Sequence, residues 1–490
     1  MNALGDYLVK SKKDAEAICE VLERMVTDPK IGGPWALRAI ANTFQNVDSS
    51  EYAGFSELNA QGIPLLVRIA DNALTRLPSE DASDVFYALR ILALYNTAAG
   101  TDAVLRAARH PLLADDFWWT VVLRAYTIDH PERARLFEQL SDPLPTGFLA
   151  VAFLDSANAA HREGVEDRHP FDSPAGLQQL EQWLTDSDQE HFSYAVSATS
   201  ALQFLRSLES DALLAIAFDH PDVNVQIEAA FAAAKLGRES GIKWLTRTCL
   251  DVNHSSRAKD YLKELGYEDA IPAESEADDF KAKAEFAEWL AHPCELGRAP
   301  DELEIVDQRV LKWPPSRELR PHWLIKYCVK ETTGIEALST GVGLVGSVTF
   351  CFFSFELDRR PPEDAYAIHC YWDMKNRGLI AETDVTEDST EYKHMLRQGA
   401  IDGLSGVKII SIAEMSQELE YPQRLVALAK ATRQGESGWL VSDGPRSRWY
   451  AASEMPAETT DKTVLMIHLG RTLLEFTKEP DRRAWLQQGV

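Results

Sequence analysis

The sequence predicts a multidomain protein: an all-α helical solenoid in the N-terminal half, followed by an α+β domain with a mainly antiparallel sheet. Apolar residues recur at helical spacing almost without interruption up to residue 270. Strand-like runs begin only after the Trp-Pro-Pro segment at 313–315. A length of 490 residues fits two to four domains. We therefore expect a solenoid over 1–271, an acidic linker over 272–280 and an α+β domain over 281–490.

Helical periodicity is clearest in the stretch DASDVFYALRILALYN, where Val85, Leu89 and Leu92 fall near one helical face. The same spacing is found in PLLVRIADNAL, FWWTVVLRAY, GFLAVAFLDSANAA, SPAGLQQLEQWL and FSYAVSATSALQFLRSL. Breaks containing Pro, Gly or Asp separate these stretches. Helix follows helix with short turns, an arrangement typical of a bundle or a solenoid.

A repeated unit favours the solenoid, and it is clearest over residues 219–251. Pro221 suits the first turn of a helix, with Asp219 or His220 near its cap. Gly237 suits the helix end. The predicted apolar face of this helix comprises Val223, Ile227, Ala230, Phe231 and Ala234.

The unit recurs at a fixed interval in the sequence that follows it. Asp251 comes 29 positions after Asp222, and Gly266 comes 29 positions after Gly237. A second helix, with Leu245 inward, lies between the two glycines. Self-similarity at a fixed period is typical of stacked helical repeats.

The segment HPDVNVQIEAAFAAAKLG, followed by GIKWLTRTCLD, resembles the short bacterial HEAT-like repeat, a type also found in phycobilin lyases. The resemblance covers Asp219 to Gly266 and fades upstream. The family usually has Val-Arg early in the first helix, whereas here Val225 is followed by Gln226. The resemblance implies a HEAT-like solenoid in which the second helix of each repeat lines a concave surface.

The C-terminal half has a different pattern. We expect strands over HWLIKYCV, SVTFCFFSF and AYAIHCYW, and further strands over VKIISI, GWLVS and SRWYAA. Helices are expected over FKAKAEFAEWLAH, EYKHMLRQGAIDGL, YPQRLVALAKAT and TVLMIHLGRTLLEF. Strands and helices mixed in this way predict an α+β domain.

The charge of the chain restricts its partners. A formal net charge of -26 repels phosphate backbones at long range, so we expect no nucleic-acid partner. A protein partner is expected instead. The sequence contains no run of about 18 uncharged apolar residues, and its N-terminus has no apolar core of signal-peptide length. We therefore expect a cytoplasmic protein with no membrane partner.

Six cysteines are scattered along the chain, and none forms a C-x-x-C pair. This spacing argues against a zinc ribbon and a disulfide framework, so we expect reduced thiols and no metal. Cys328, Cys351 and Cys370 each lie in a predicted strand, with His369 beside the last. Neighbouring strands could bring the three thiols together, which leaves a metal or redox site open.

The string GVGLVGSV fits G-x-G-x-x-G-x-V through Gly341, Gly343 and Gly346. A dinucleotide fingerprint needs a strand before it and a helix after it, and the flanking segments are poor candidates for both. A kinase loop needs a following lysine, H-R-D and D-F-G, which are missing. We interpret the glycines as structural, at the start of a strand or in a bulge. Another kind of nucleotide loop stays open.

Partner-binding candidates lie in the helical half. Trp118 and Trp119 cannot both point inward from one helix, so one of them is a candidate contact. Lys243 and Arg247 lie one turn apart on the second helix of the clearest repeat. The resemblance places that helix on the concave surface, which makes this pair a candidate contact for an acidic partner.

The sequence favours a non-catalytic scaffold or adaptor that binds proteins on a HEAT-like surface and on an additional α+β module. The P-loop and G-x-S-x-G strings are missing, and we predict no catalytic residue and no cofactor. The alternative is an enzyme or a small-ligand-binding protein with its site in the C-terminal domain.

Overall fold

The structure is a computed structural model. It describes residues 12–28, 58–77, 82–165, 167–206, 210–314, 316–330, 338–353, 357–379, 384–385, 404–413, 415–416, 426–442 and 447–476. The chain divides into two compact units, Met1–Leu245 and Thr246–Val490. This division falls earlier than the boundary at residue 271 that the sequence suggests. Residues 272–280, expected as a linker, contain a 3-10 turn and the first turn of a helix.

The N-terminal half is helical throughout its described part, which confirms the predicted class. Its α-helices are α1 Lys12–Thr27, α2 Ile63–Arg76, α3 Ser83–Leu94, α4 Ala98–Ala108, α5 Trp119–Leu123, α6 Arg133–Ser141, α7 Gly147–Arg162, α8 Pro174–Thr185, α9 Phe192–Ala201, α10 Ser210–Phe218, α11 Val223–Lys235 and α12 Glu239–Thr248.

These helices pack in two rows. In one row, each helix contacts the next in the order α3, α5, α7, α9 and α11. In the other row, α2 contacts α4, α4 contacts α6, and α8 contacts α10. Consecutive helices, such as α2 with α3 and α10 with α11, join the rows. One apolar cluster fills the space between them, from Ala15 to Ala232. The amphipathic pattern of each helix therefore determines which side faces the other row.

The N-cap of the first helix in the clearest repeat lies two residues after His220 and three after Asp219, the predicted cap positions, so Pro221 precedes the helix instead of lying in its first turn. Asp222, rather than Asp219 or His220, is the N-cap residue of α11, and its carboxylate accepts hydrogen bonds from the amides of Asn224 and Val225. The prediction missed this because His220 has another role. Its buried ring accepts a hydrogen bond from the Asp222 amide, which fixes the approach to the helix.

The two glycines of the repeat end their helices in the same way. Gly237 and Gly266 have φ of +77° and +76°, left-handed conformations that favour glycine. In each case the glycine amide bonds the carbonyl three residues back, and the next amide bonds the carbonyl five residues back. This is the Schellman pattern. The interval of 29 positions therefore corresponds to a repeated local structure.

The C-terminal half combines helices with antiparallel strands, as predicted. Its helices are α13 Ser255–Glu264, α14 Asp278–Ala291, α15 Pro362–Asn376 and α16 Asp461–Phe476. Its strands are β1 Glu302–Lys312, β2 Leu319–Lys330, β3 Leu338–Val345, β4 Phe350–Cys351, β5 Asp384–Val385, β6 Val407–Ala413, β7 Met415–Ser416, β8 Ala427–Arg433, β9 Glu436–Ser442 and β10 Ser447–Ala451.

Two four-stranded antiparallel sheets organise this half, in the orders β1-β2-β3-β4 and β10-β9-β8-β6. Each sheet is followed in the chain by one long helix, α15 for the first and α16 for the second. The two helices pack on each other, α15 also contacts β2 and β3, and α16 also contacts β9. The two paired helices therefore join the two sheets in one core.

The first sheet is covered on both faces. Alternate residues Trp323, Ile325 and Tyr327 of β2 join a cluster with Phe286 of α14. Leu324, between them, joins the cluster that contains α15 and α16. Because side chains alternate across a strand, the one strand contributes to two cores. Three consecutive apolar residues of β2, Trp323–Ile325, are consequently all buried.

Three sequence predictions in this half are wrong. Strands do not begin only after the Trp-Pro-Pro segment at 313–315, since β1 spans Glu302–Lys312. AYAIHCYW, expected as a strand, lies in α15, which begins at Pro362 with Glu363 and Asp364 in its first turn. The helix is buried on nearly all sides because a sheet and α16 enclose it, so apolar and polar residues do not separate into two faces. ALAKAT, expected as part of a helix, forms β8 between β6 and β9. There, pairing on both edges outweighs the helical propensity of alanine.

The segment SVTFCFFSF is a strand only at Phe350–Cys351. The predicted strands over HWLIKYCV, VKIISI, GWLVS and SRWYAA are confirmed. The predicted helices over FKAKAEFAEWLAH and TVLMIHLGRTLLEF are confirmed as well. The helix predicted over EYKHMLRQGAIDGL falls, except for its last residue, outside the described residues.

Candidate functional site

An exposed group of aromatic side chains lies where α5 packs against α3. The ring of Trp118 lies 5.3 Å from that of Tyr87 in α3 and 5.2 Å from that of Phe117, measured between centroids. Phe117 is 62% exposed, and Trp118 and Tyr87 are partly exposed. We call Tyr87, Phe117 and Trp118 the aromatic surface. Connected aromatic rings at a protein surface are typical of a partner-binding site.

Trp119 holds this surface in place from within the core. Its side chain is fully buried, its indole N–H donates to the carbonyl of Leu113 at 2.6 Å, and its ring meets Phe86 edge-on. Trp119 is therefore the buried member of the predicted pair, and Trp118 stays the candidate contact. Of the two tryptophans, only Trp118 reaches the surface, because adjacent residues at a helix start point in different directions.

Acidic residues precede the aromatic surface in the chain. The Asp116 carboxylate accepts a hydrogen bond from the Trp118 amide at 2.9 Å, which fixes the backbone at that point. The carboxylate of the exposed Asp115 accepts a hydrogen bond from the amide of Phe148. Leu112, on the same segment, is 56% exposed. The aromatic surface is thus apolar with a negative border.

The second predicted contact, Lys243 and Arg247, lies on the exposed side of α12. The Lys243 ammonium forms an ion pair with Glu239 at 2.9 Å, one turn earlier on the same helix. The local charge at Lys243 is therefore balanced, and this pair is a weaker candidate for an acidic partner than the sequence suggested.

The glycine-rich segment is itself a strand, which corrects its interpretation as the start of a strand or a bulge. Gly341 and Gly343 lie within β3 and pair with Tyr327 and Ile325 of β2. Gly343 also pairs with Cys351 of β4. None of the three glycines has a positive φ, so they do not bend the backbone in a way that requires glycine.

Each of the three glycines lets an aromatic ring approach the backbone closely. A Cβ at Gly341 would lie 2.7 Å from the ring of Tyr327, and one at Gly346 would lie 2.3 Å from the ring of His322. At Gly343 the ring of Phe286, from α14, would lie 2.3 Å away. The space above the glycines is filled by the protein's own side chains, so these residues do not form an open phosphate loop.

The predicted meeting of cysteines on adjacent strands is wrong for Cys370 and His369, because both lie on α15. Burial raises the pKa of the Cys351 thiol to about 12 and that of Cys370 well above its ordinary value. Thiols held in the neutral form are poor nucleophiles and ligands. Within the described residues, no group of three or more His, Cys, Asp or Glu side chains is placed to hold a metal ion.

A cavity of about 130 Å³ lies in the C-terminal half, where the layers of the fold meet. Three arginines line it from three different elements: Arg309 from β1, Arg448 from β10 and Arg471 from α16. The other lining residues are Leu311, Glu363, Tyr366, Leu474 and Glu475. The sequence did not indicate this site, since its members are separated by up to 166 positions and match no motif.

Carboxylates accompany each arginine of this cavity. Arg309 donates to Asp307 and to Glu363, both at 2.7 Å. Arg448 donates to Glu475, on the neighbouring helix. The hydrogen bond from Arg309 is the main reason that the pKa of Glu363 lies below its ordinary value.

The inner wall of the cavity is held by buried groups. Arg471 forms an ion pair with Asp364, whose pKa is raised by burial. The Tyr366 hydroxyl donates to the carbonyl of His322 at 3.2 Å, and the guanidinium of Arg309 lies 5.6 Å from the Tyr366 ring centre. Burial also raises the pKa of the Tyr366 hydroxyl, so it stays neutral.

Comparison with protein-family models, curated proteins and solved structures gives no match to this chain. Among the described helices, none combines the length and the apolar character needed to cross a lipid bilayer. The functional argument therefore rests on the geometry of the aromatic surface and of the arginine-lined cavity.

Proposed function

We propose that the protein is a non-catalytic scaffold that binds a partner protein on its helical half, through the aromatic surface. The observation that carries this proposal is the contact between an exposed Phe117 and a partly exposed Trp118 beside a fully buried Trp119. Large aromatic side chains are enriched among the residues that dominate binding energy. Trp118 packs against Tyr87 and the apolar core, which lowers the entropy that its side chain loses on binding.

The arrangement of the helices supports a HEAT-like solenoid as part of this proposal. Arg106 of α4 pairs with Asp71 of α2, and Arg135 of α6 pairs with Asp102 of α4. The two aspartates are 31 positions apart and the two arginines are 29 apart. Equivalent helices are thus joined by equivalent ion pairs, as expected when each repeat contacts only its neighbours. Such arrays present extended surfaces to protein partners.

The chemistry of the surface favours a basic partner segment. Exposed aromatic faces attract Lys and Arg cations, and the stems of these side chains also pack on apolar surface. Asp115 and Asp116 supply negative charge next to the rings. The formal net charge of -26 adds a long-range attraction for cationic partners.

A selection experiment with displayed random peptides on the full chain tests this proposal. We expect the selected peptides to be enriched in Arg and Lys. We expect the double substitution Phe117→Ser and Trp118→Ser to weaken their binding at least tenfold in fluorescence anisotropy. Leu236→Ser is the matched control, because Leu236 is also an exposed apolar residue of the helical half. Peptides without basic residues, or equal losses in both variants, would contradict the proposal.

The second candidate function is a small-ligand-binding protein with its site in the C-terminal domain. The arginine-lined cavity favours it, because convergent polar groups around an apolar-walled space are typical of ligand sites.

A further inference from the structure

The arginines and the glutamates of the cavity differ in how far they are exposed to water. The side chains of Arg309 and Arg448 are 32% and 26% exposed, whereas those of their partners Glu363 and Glu475 are 51% and 43% exposed. The guanidinium groups therefore lie deeper than the two carboxylates, which sit at the rim. A carboxylate that is about half exposed gains little from an ion pair, because water screens it.

This arrangement makes the two rim carboxylates replaceable. Glu363 is in the first turn of α15 and Glu475 is in the last turn of α16. Both have long side chains that can rotate into water without moving the helix. Asp364 differs, since it is 4% exposed and forms its ion pair with Arg471 inside the fold. It keeps the third arginine in place whether or not the rim opens.

The uncharged lining residues determine what kind of ligand body the cavity accepts. Leu311 and Leu474 are buried lining residues, and Tyr366 presents a neutral phenol that is held by backbone carbonyls. A volume of about 130 Å³ is far more than one water molecule needs. The space suits a short apolar body, and the arginines suit an anionic head with several oxygens.

We propose that this cavity binds a small organic oxyanion, a carboxylate or a phosphate monoester with a short apolar body. In the complex, the ligand oxygens replace Glu363 and Glu475 as acceptors for Arg309 and Arg448, while Asp307 keeps its ion pair with Arg309. Glu363 and Glu475 are thus internal competitors for the remaining donors of these arginines when no ligand is bound. The inference deepens the ligand-binding candidate and does not depend on partner binding by the helical half.

Calorimetric titration of the full chain at low salt tests the site. The probes are benzoate and phenyl phosphate, which distinguish a carboxylate from a phosphate head, and inorganic phosphate, which lacks the apolar body. We expect one organic probe to bind at least tenfold more tightly than inorganic phosphate. Arg448→Gln weakens that binding at least tenfold, because one guanidinium is lost.

The decisive measurement uses variants in which Glu363 or Glu475 no longer competes for the arginines. Glu363→Gln and Glu475→Gln should each tighten binding of the organic probe about threefold or more, since a neutral amide competes less well for a guanidinium. Arg298→Gln is the control, because Arg298 forms an ion pair with Asp301 in the same unit and does not line the cavity. A purely structural role for the ion pairs predicts no binding, or no gain in the two Gln variants, and either result overturns the proposal.

Thermal unfolding of each variant separates binding from folding. The two Gln variants retain every arginine, so a gain in affinity cannot arise from loss of structure. If the organic probes bind as expected while selected peptides do not, only the scaffold proposal fails. If the peptides bind and the probes do not, only the cavity proposal fails.

Discussion

At the scale of single residues, Gly343 shows how one missing Cβ allows two elements to pack. Phe286 of α14 lies where a Cβ on β3 would be, at 2.3 Å. Gly343→Ala should lower the free energy of unfolding by about 1–3 kcal/mol, because the ring or the helix must shift. Urea unfolding followed by circular dichroism measures this change.

The matching variant is Phe286→Leu. Shortening this side chain removes the obstacle, so the double variant should lose less free energy than the sum of the two single variants. Strict additivity of the two losses would show that Gly343 is not needed for the contact with Phe286.

His369 provides a second residue-scale prediction, on pH. Burial lowers the pKa of its ring to about 4, where it lies between Phe350 and Phe352 and hydrogen-bonds the Ala365 carbonyl. Between pH 6.5 and 4 the unfolded state binds a proton on this ring and the folded state does not. Stability should therefore fall as the pH falls through this range, by up to about 1.4 kcal/mol per pH unit from this group.

The variant His369→Phe isolates this contribution. It loses the hydrogen bond to Ala365 and so is less stable at pH 7, but it carries no titrating ring. We expect its free energy of unfolding to decline less steeply than that of the original chain between pH 6.5 and 5. The free energy of unfolding of both chains is measured by chemical unfolding at several pH values. If it declines equally in both as the pH falls, His369 is not the source of the pH dependence.

At the scale of elements, the N-cap of α11 can be tested directly. Asp222→Ala removes the acceptor for the amides of Asn224 and Val225, and should cost about 0.5–2 kcal/mol of stability. Asp222→Ser keeps an acceptor at the same position and should cost much less. Unfolding measurements on the two variants compare them. Equal losses would mean that the carboxylate does not cap the helix.

The two errors in element type have different causes. α15 is enclosed by a sheet and α16, so its sequence has no clear helical period. β8 has an exposed residue at Lys430, and its strand conformation comes instead from pairing with β6 and β9, which outweighs the helical propensity of its alanines. Both errors therefore come from packing partners that local sequence does not specify.

At the scale of the whole molecule, the two compact units predict separate unfolding. One apolar cluster lies wholly within the first unit, while clusters around α15, α14 and β8 lie within the second. Each unit thus has a core of its own, as independent domains do. We expect hydrogen exchange in increasing urea to show two cooperative groups of peptides. Gly343→Ala should lower the urea concentration at which peptides of the second unit exchange, and Asp222→Ala should do so for peptides of the first unit. Equal shifts of both groups by either variant would indicate one cooperative unit.

The sequence by itself determined the helical class of the N-terminal half, its 29-residue interval, the strands β2, β6, β9 and β10, and the exposure of one of two adjacent tryptophans. These features depend on local periodicity, caps and glycine conformation, which neighbouring residues specify. Only the tertiary structure decided that Trp118 rather than Trp119 reaches the surface and that the glycines of β3 admit aromatic rings. The tertiary structure alone also brings Arg309, Arg448 and Arg471 to one cavity. Such features depend on residues far apart in the chain, whose contacts follow from how the layers pack.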